Sequence, residues 1–397
     1  MTIQEFPMAR AAGCPFDPPP ALHELQREAP LTRVRLANGT TPWLVTRYAE
    51  QRALLSDPRI SADVRHPGFP AGASVDRHRV SIGFVLMDDP EHSRLRRTVT
   101  APFAVKRVEA MRPLVQSIVD GLIDEMLDGP RPVDLVQAFA LPVPSLVICE
   151  LLGVPYTDHD FFQDNSKHLV NRNASPAERR EAFQIFNAYL DDLIGAKTAA
   201  PTDDLLSQLA ARIEAGELAR AEAAGIATLL LIAGHETTAN MIALGTLALL
   251  ENPDQLTLLR ETDDPKLIAG AVNELLRYLN IPHGGRRRVA LADIEIAGEL
   301  IRAGEGIIMA NDIGNRDPSV FTDPDTLDLT RDARGHLAFG FGAHQCLGQP
   351  LARMELQVVY GTLYRRIPSL RLATSIDRIP FKHDGSVYGV YELPVTW

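Results

Sequence analysis

The sequence predicts a mostly α fold of the α+β type, organised as a single domain over residues 1–397. The first observation is the long middle region, residues 91–279, where apolar residues recur with the 3.6-residue period of amphipathic helices. The second is residues 287–310, where apolar and polar residues alternate and glycines mark the turns, as in short strands. The third is the Asn38-Gly39 pair between two apolar alternations, which predicts a tight hairpin near the N-terminus.

Composition excludes several classes of protein. The chain has 397 residues, of which 45% are hydrophobic and 23% charged, and no run of eighteen apolar residues lacks a charge, so we expect a soluble globular protein without a membrane span. Its 40 Lys and Arg against 51 Asp and Glu give a net charge of −11, which is unfavourable for binding nucleic acid or an anionic membrane. The chain starts without the apolar core of a secretory signal, and its three cysteines form no CxxC pair. The cytoplasm is the expected location.

The remaining elements follow in chain order. Residues 61–89 are rich in Gly, Pro and Ser, and two interpretations stay open: a loop that covers a binding pocket, or a mobile surface loop. Residues 311–345 are loop-rich and precede a last helix from about Cys346 to Arg366, and residues 378–397 indicate a final strand. Within the middle region, helical periodicity is clearest in residues 105–128, 140–152, 177–195 and 202–213.

The segment FGFGAHQCLG, residues 339–348, combines three glycines with a cysteine just before the last predicted helix. Glycines allow the backbone to approach a flat ligand closely. A cysteine at a helix start has its thiolate stabilised by free N–H groups and by the positive end of the helix dipole, as a metal ligand requires. The alternative interpretation is a buried apolar cysteine beside a glycine-rich turn. Cys149, inside an apolar run, and Cys14, in a proline-rich segment, lack such surroundings.

The most apolar stretch of the chain, residues 223–250, carries polar residues at its centre. His235 and Glu236 favour a buried helix over a membrane span. A buried Glu236 needs either partners that pair its charge or water that exchanges protons with it. Thr237 can bend the helix by donating a hydrogen bond to the carbonyl of Ala233, which opens space for small molecules. The segment therefore predicts either paired structure or proton chemistry.

The cysteine segment resembles the haem-binding loop of the cytochrome P-450 superfamily. The pattern Phe339-x-x-Gly342-x-x-x-Cys346-x-Gly348, with His344 inside it, is similar to that of the soluble bacterial members associated with secondary metabolism. The resemblance implies a mostly α cytochrome P-450 fold, a single haem domain with small β-sheets. It also implies haem b, with the Cys346 thiolate as the axial ligand that favours O–O cleavage.

The polar centre of the apolar stretch resembles the oxygen-activation groove of the same family. The matching pattern is Ala233-Gly234-x-Glu236-Thr237-Thr238, and it precedes the cysteine loop in family order. The resemblance implies that Thr237 hydrogen-bonds bound oxygen and that Glu236 relays protons.

The same resemblance assigns the residues that bind the haem propionates. His92 and Arg96 lie one helical turn apart, and His344 and Arg288 match the other two anchors. Because GGRRR leaves the register open, Arg286 or Arg287 could replace Arg288. The complete set of haem-binding residues implied by the resemblance is His92, Arg96, Ala233, Arg288, Phe339, Gly340, His344, Cys346 and Gly348.

Glu274 and Arg277 are predicted to form a structural ion pair. Their i, i+3 spacing puts acid and base on one helical face, but the chain contains six Glu-x-x-Arg pairs, so spacing alone selects none of them. Only the order of motifs in the family points to this pair.

The resemblance implies a monooxygenase that uses O₂ to hydroxylate or oxidatively cyclise an apolar small molecule, in secondary-metabolite biosynthesis. No flavin, dinucleotide or iron–sulfur motif occurs in the sequence, so electrons are expected from a ferredoxin and a ferredoxin reductase. A peroxide-driven peroxygenase and a catalytically silent haem-binding protein are the alternatives, and neither needs the Glu236-Thr237 pair.

Two surfaces are assigned by position. The first is a basic docking patch for the ferredoxin, formed by Arg94, Arg97, Lys106, Arg107 and Arg353, and the alternative interpretation of these residues is scattered, solvated surface charge. The second is an apolar substrate pocket, lined by Ile82, Val85, Leu86, Leu230, Ala233, Thr237, Ile281, His283 and Val387.

Overall fold

The computed structural model describes residues 3–11, 13–71, 83–158, 161, 175–383 and 386–397. Contacts divide these residues into two compact units. Within those ranges, the first unit contains the residues up to 71, residues 85–89 and residues 269–346, and the second contains residues 83–84, 90–268 and 347–397. The single-domain organisation remains a prediction.

Helices provide most of the secondary structure, which confirms the predicted fold class. They are α1 (Pro20–Glu28), α2 (Tyr48–Leu55), α3 (Glu91–Thr100), α4 (Val105–Ala110), α5 (Arg112–Asp128), α6 (Pro142–Leu152), α7 (Pro176–Ala199), α8 (Leu205–Glu214), α9 (Arg220–Leu250), α10 (Pro253–Glu261), α11 (Pro265–Tyr278), α12 (Asn311–Gly314) and α13 (Gln349–Arg366). The strands are β1 (Gln4–Glu5), β2 (Leu31–Arg35), β3 (Trp43–Val45), β4 (Ile60–Ser61), β5 (Val133–Asp134), β6 (Arg286–Ala290), β7 (Ile294–Ile296), β8 (Glu299–Ile301), β9 (Gly306–Met309), β10 (Arg371–Leu372) and β11 (Pro394–Thr396).

Prolines account for two differences between predicted and observed helices. The helix predicted over residues 105–128 is divided into α4 and α5, because Pro113 lies in the first turn of α5. Proline lacks an N–H and its ring excludes the carbonyl four residues earlier, so no regular helix passes through it. The last helix begins at Gln349 rather than at Cys346, and Pro350 again occupies the first turn.

The first unit is built on a mixed six-stranded sheet with the order β1-β2-β3-β9-β6-β4. Its centre pairs β3 with β9 in parallel and β9 with β6 in antiparallel register, so that Trp43 lies opposite Ile307 and Arg288 lies opposite Ile307 from the other side. The strands predicted near the N-terminus and over residues 287–310 are therefore confirmed. β2, β3, β6 and β9 belong to this sheet, whereas β7 and β8 form a separate two-stranded sheet.

The predicted hairpin connects β2 and β3, but its loop is wider than a two-residue turn. The connection covers residues 36–42, with a turn closed by the Gly39 N–H to the Leu36 carbonyl. The Asn38 side chain accepts a hydrogen bond from the Thr40 N–H at 3.1 Å, and Gly39 has a φ of 83°, which favours glycine. A tight hairpin occurs instead between β7 and β8, where Ala297 and Gly298 both have positive φ.

A buried polar network holds the first unit together around Arg277. The Nε and Nη2 atoms of Arg277 donate to the two carboxylate oxygens of Glu274 at 2.7 and 2.8 Å, and both side chains are 0% exposed. Arg277 Nη1 also donates to the carbonyls of Asn315 and Pro324, and Arg331 Nε donates to Glu274. The ion pair selected by motif order is therefore present, and it ties α11 to the loop-rich stretch that follows α12.

The second unit is organised around α9, a helix of 31 residues that is buried over most of its length. It packs against α6, α7 and α13. The Tyr360 hydroxyl on α13 donates to the Met241 carbonyl at 2.6 Å, and the Tyr364 hydroxyl lies 3.1 Å from the Thr246 hydroxyl. Gly245 leaves space for the Tyr360 ring, since a Cβ there would lie 1.9 Å from its hydroxyl oxygen. Burial on all sides explains why this helix is apolar all round.

The C-terminal segment contributes a small sheet to the second unit. β11 pairs in antiparallel fashion with β10 and with β5. The strand predicted over residues 378–397 is thus limited to β11 and to a bridge between Phe381 and Val390. Among the helices that the structure describes, none is long and apolar enough to cross a membrane.

We expect Arg277→Leu to lower the free energy of unfolding by about 3–5 kcal/mol, because it leaves the Glu274 carboxylate buried without its main partner. Urea denaturation monitored by circular dichroism measures this loss. Arg365→Leu is the control, because it removes an ion pair with Asp263 whose side chains are 46% and 92% exposed, and it should cost less than about 1 kcal/mol. Equal effects of the two substitutions would contradict the structural role of the buried pair.

Candidate active site

The cysteine loop of the first unit is closed by its own backbone. The Cys346 N–H donates to the Phe339 carbonyl at 2.9 Å, and the Gly340 N–H donates to the Leu337 carbonyl at 2.8 Å. His344 lies inside the loop, in the single 3₁₀ turn Gly342–His344. Cys346 is exposed, which contradicts the alternative of a buried apolar cysteine.

Buried amides position this loop from behind. Asn315 accepts a hydrogen bond from the Leu337 N–H at 2.7 Å, and Asn311 donates to the Leu337 carbonyl at 3.0 Å. Leu337 is thereby fixed on both of its backbone groups, two residues before Phe339. The adjacent Asn315 carbonyl accepts from Arg277, so the buried ion-pair network supports the cysteine loop.

Glycine is required at two positions in the loop. Gly340 has a φ of 72°, and a Cβ there would lie 3.1 Å from the Cζ and Nε atoms of Arg286. Gly342 has a φ of 75°, and a Cβ there would lie 2.3 Å from the Leu55 carbonyl oxygen. Both positions combine left-handed backbone with close packing, so any side chain would displace the loop.

Alternation along β6 places Arg287 on one side of the strand and Arg286 and Arg288 on the other. Arg287 points to one side and donates to the Pro70 carbonyl at 2.8 Å. Arg286 and Arg288 share the other side, as expected for residues two apart in a strand. Arg286 Nη2 donates to the Ala338 carbonyl at 2.8 Å, next to Phe339, which brings this side of β6 to the cysteine loop.

The two arginines on that side of β6 are half-buried cations. Burial lowers the pKa of Arg286, with Cys346 opposing the shift. Burial, followed by repulsion from Arg286, lowers the pKa of Arg288 to about 10, and Asp88 opposes it. Within the described ranges, Arg286 Nε is a buried donor without an acceptor and neither arginine forms an ion pair. This side of the strand fits a ligand that carries carboxylates.

The polar centre of α9 lies in the second unit. Thr237 donates from Oγ1 to the Ala233 carbonyl at 2.8 Å, which confirms the predicted bond across one helical turn. Ala233 is exposed and Thr237 is half-buried, whereas Glu236 is buried. Leu230, Ala233 and Thr237 therefore share a face of the helix, as i, i+3 and i+7 spacing dictates.

Among the described residues of the second unit, Glu236 has three polar neighbours. Asn240 Nδ2 donates to its Oε2 at 3.1 Å, Lys382 Nζ lies 3.7 Å from the same oxygen, and His235 Nε2 lies 4.0 Å from Oε1. Burial lowers the pKa of His235; Glu236 opposes this shift and Lys382 adds to it, so the imidazole is neutral near pH 7. Lys382 is therefore the cation beside Glu236, and the sequence analysis missed it because no motif contains it.

Three further residues predicted to bind haem lie on or next to helices, and their role stays a prediction. His92 on α3 is buried, with its ring centroid 6.0 Å from that of Phe84, and Arg96 is half-buried one turn later. Gly348 is the N-cap residue of α13. Cys346 precedes that helix by three residues, so the expected influence of the helix dipole on its thiolate stays a prediction.

The substrate-pocket residues are distributed over both units. Ile82 lies outside the described residues, as does most of the loop around it. Val85 is exposed, Leu86 and His283 are half-buried and Ile281 is buried in the first unit, whereas Leu230 and Val387 belong to the second. The lining role of these residues stays a prediction.

We expect Gly342→Ala to destabilise the folded chain at least twice as much as Gly298→Ala. Both glycines have positive φ, which costs about 1–2 kcal/mol for a residue with a Cβ. Only Gly342 has a carbonyl oxygen within 2.3 Å of the added atom, whereas nothing lies within 4 Å at Gly298. Denaturant midpoints of the two variants provide the comparison, and equal losses would show that the cysteine loop is not tightly packed.

Comparison with known proteins identifies the family. The profile of the Cytochrome P450 family matches residues 22–367. Cytochrome P450 GfsF from Streptomyces halstedii is 56% identical over 99% of this chain and 96% of its own, and its crystal structure has a TM-score of 0.94 over 99% of this chain and 100% of that chain. Pentalenic acid synthase from Streptomyces avermitilis is 50% identical over 99% of this chain and 97% of its own.

A relative with a bound ligand shows the same fold. The mycinamicin VIII C21 methyl hydroxylase MycCI from Micromonospora griseorubida, solved with mycinamicin VIII, is 41% identical with a TM-score of 0.93, and each chain is covered over 100% of its length. The chain therefore belongs to the cytochrome P450 family and is a haem-thiolate monooxygenase.

Proposed function

We propose that this protein uses O₂ and electrons from a ferredoxin and its reductase to hydroxylate or oxidatively cyclise an apolar small molecule of secondary metabolism. The observation that carries the proposal is the acid–alcohol pair on α9. Glu236 is buried beside a cation, and Thr237 is oriented by its hydrogen bond to Ala233. Such a pair is useful to an enzyme that must deliver protons to bound oxygen and has no use in a protein that only carries a ligand.

Haem supplies the oxygen chemistry when it is bound, because a thiolate-ligated iron activates O₂ for insertion into a C–H bond. Cys346 is the proposed axial ligand. It is exposed, and it follows Gly340 and Gly342, whose lack of a side chain allows the loop to pack closely. Arg288 is the proposed partner of a propionate, together with His344, His92 and Arg96. Arg286 shares the side of β6 with Arg288 and offers an unused Nε donor, whereas Arg287 is committed to a backbone carbonyl.

Thr237 and Glu236 are proposed to divide the proton delivery. The hydroxyl hydrogen of Thr237 is engaged with the Ala233 carbonyl, so its oxygen is presented as an acceptor to a water molecule or a protonated ligand. Glu236 is the proposed proton donor, and its carboxylate is held by the Asn240 amide and lies beside the Lys382 ammonium group. The proton would then pass along α9 from Glu236 toward Thr237.

Three of the predicted docking residues are exposed cations, which supports docking of a negatively charged electron donor. Arg97, Lys106 and Arg107 are exposed on α3 and α4. Arg94, in contrast, is paired with Glu91 and with Glu222, so it adds little net charge. A ferredoxin with acidic residues around its cluster fits the remaining cations. We retain the cytoplasm as the proposed location.

The substrate class follows from the relatives and from the helix face. Pentalenic acid synthase and the mycinamicin VIII hydroxylase are named for natural products, which supports a polyketide, terpenoid or peptide-derived substrate here. Leu230 and Ala233 present an apolar surface beside Thr237. Apolar walls hold such a substrate by excluding water, and a few polar groups orient it.

We expect Glu236→Gln and Thr237→Val to lower product formed per NADPH by about 10- to 100-fold, with the electrons released as hydrogen peroxide. The assay supplies a ferredoxin, its reductase and a test substrate that the wild type hydroxylates under air. Thr228→Val is the matched control. Thr228 lies earlier in α9, and its hydroxyl donates an equivalent hydrogen bond to the Ala224 carbonyl at 2.9 Å.

The same assay separates the alternatives. Full product yield in both variants would contradict the proton-delivery role. Product formation from hydrogen peroxide without a ferredoxin, unaffected by either substitution, would indicate the peroxide-driven enzyme. Haem binding without product under any condition would indicate the silent haem protein.

A further inference from the structure

The only carboxylate in the middle of α9 lies against a hairpin from the C-terminal end of the chain. Residues 380–383 pair with residues 386–391 through the Phe381–Val390 bridge, the Lys382 N–H to the Gly389 carbonyl at 2.8 Å and the Tyr391 N–H to the Pro380 carbonyl at 2.8 Å. We call these two segments the terminal hairpin. It places one cation, Lys382, beside Glu236.

The terminal hairpin is fitted to α9 at two adjacent points. At Gly389 an added Cβ would lie 1.7 Å from Oδ1 of Asn240, so the hairpin backbone touches this amide directly. Asn240 in turn donates to the Glu236 carbonyl at 2.7 Å and to the Glu236 carboxylate at 3.1 Å. Gly389 thus fixes the amide that orients the carboxylate, while Lys382, hydrogen-bonded to Gly389 through its backbone, supplies the charge.

Burial strengthens the electrostatic interaction between Lys382 and Glu236. Its side chain is 15% exposed and that of Glu236 is 6% exposed, so water screens the pair weakly. Their separation of 3.7 Å exceeds a hydrogen bond, which leaves the carboxylate free to bind a proton without first breaking one to the ammonium group. The ring of Tyr391 lies 5.6 Å from the same nitrogen, within the range of a cation–π contact.

The other neighbours of Glu236 cannot replace this cation. His235 is buried and neutral near pH 7, because its pKa is lowered, and Asn240 carries no charge. A carboxylate buried without a counter-ion takes up a proton and stays neutral. Without Lys382, Glu236 would hold its proton more tightly and would release it less readily to bound oxygen.

We propose that Lys382 is a positioning residue whose charge eases the release of a proton from Glu236, and that the terminal hairpin holds the two groups at this distance. The functional consequence rests on the proton-delivery role proposed for Glu236. The pairing itself rests on geometry alone, so it can be tested separately from turnover.

The test measures the ionisation of Glu236 directly. Difference infrared spectra of the holoenzyme are recorded against pH, and the carboxyl band that Glu236→Gln abolishes is assigned to Glu236. In Lys382→Met the midpoint of this band should move to higher pH by about one to three units, because the opposite charge is lost. Lys382→Arg, which retains a cation, should restore the midpoint.

Two further variants serve as controls. Arg378→Met removes an exposed cation from the same part of the chain and should leave the midpoint unchanged. Lys382→Gln is neutral but polar, and it should reproduce the shift if Lys382→Met binds too little haem to be measured. A midpoint in both neutral variants equal to that of the wild type would overturn the proposal.

Turnover separates this proposal from the proposed function. If Glu236 delivers protons, the alkaline limb of the pH profile of product per NADPH should move upward in Lys382→Met by the same interval, with KM unchanged. A shifted infrared midpoint with an unshifted turnover profile would support the pairing and contradict the role of Glu236 in proton delivery. An unshifted midpoint would overturn the pairing whatever the turnover shows.

Discussion

The burial of a carboxylate at the centre of an apolar helix is the constraint on which the second unit depends. α9 is apolar on every side because helices surround it, and Glu236 lies in the middle of this environment. A carboxylate there must be given donors and a counter-charge by the chain itself. The Asn240 amide and the Lys382 ammonium supply them, and the terminal hairpin must then pack without a side chain at Gly389.

The first unit meets the opposite requirement, since it buries cations. Arg277 is satisfied by Glu274 and by backbone carbonyls, and that network reaches Asn315 and so supports the cysteine loop. Arg286 lies beside the same loop, Arg288 shares its side of β6, and neither forms an ion pair in the described part of the chain. Cations in this position are suited to the acidic groups of a bound cofactor, and haem carries two propionates.

Sequence patterns predicted the features that depend on local periodicity or on a contiguous motif. The long helix α9, the strands over residues 286–309 and the cysteine loop belong to this group. Features that depend on packing between distant segments could not be predicted from the sequence. The register of the three arginines needed the alternation of β6, and Lys382 needed the fold of the terminal hairpin. Prolines in first turns were visible in the sequence, yet the periodicity continued across Pro113 and masked the break between α4 and α5.

Ligation of the haem iron by the Cys346 thiolate is tested most directly by the absorption spectrum of the purified, reduced protein exposed to carbon monoxide. Cys346→Ala is compared with Cys14→Ala, which removes the other exposed cysteine. We predict a strongly red-shifted Soret band in the wild type and in Cys14→Ala, and its loss in Cys346→Ala, since only a thiolate ligand produces this shift. A histidine-like band in the wild type, or a red-shifted band that survives in Cys346→Ala, would contradict the proposed site.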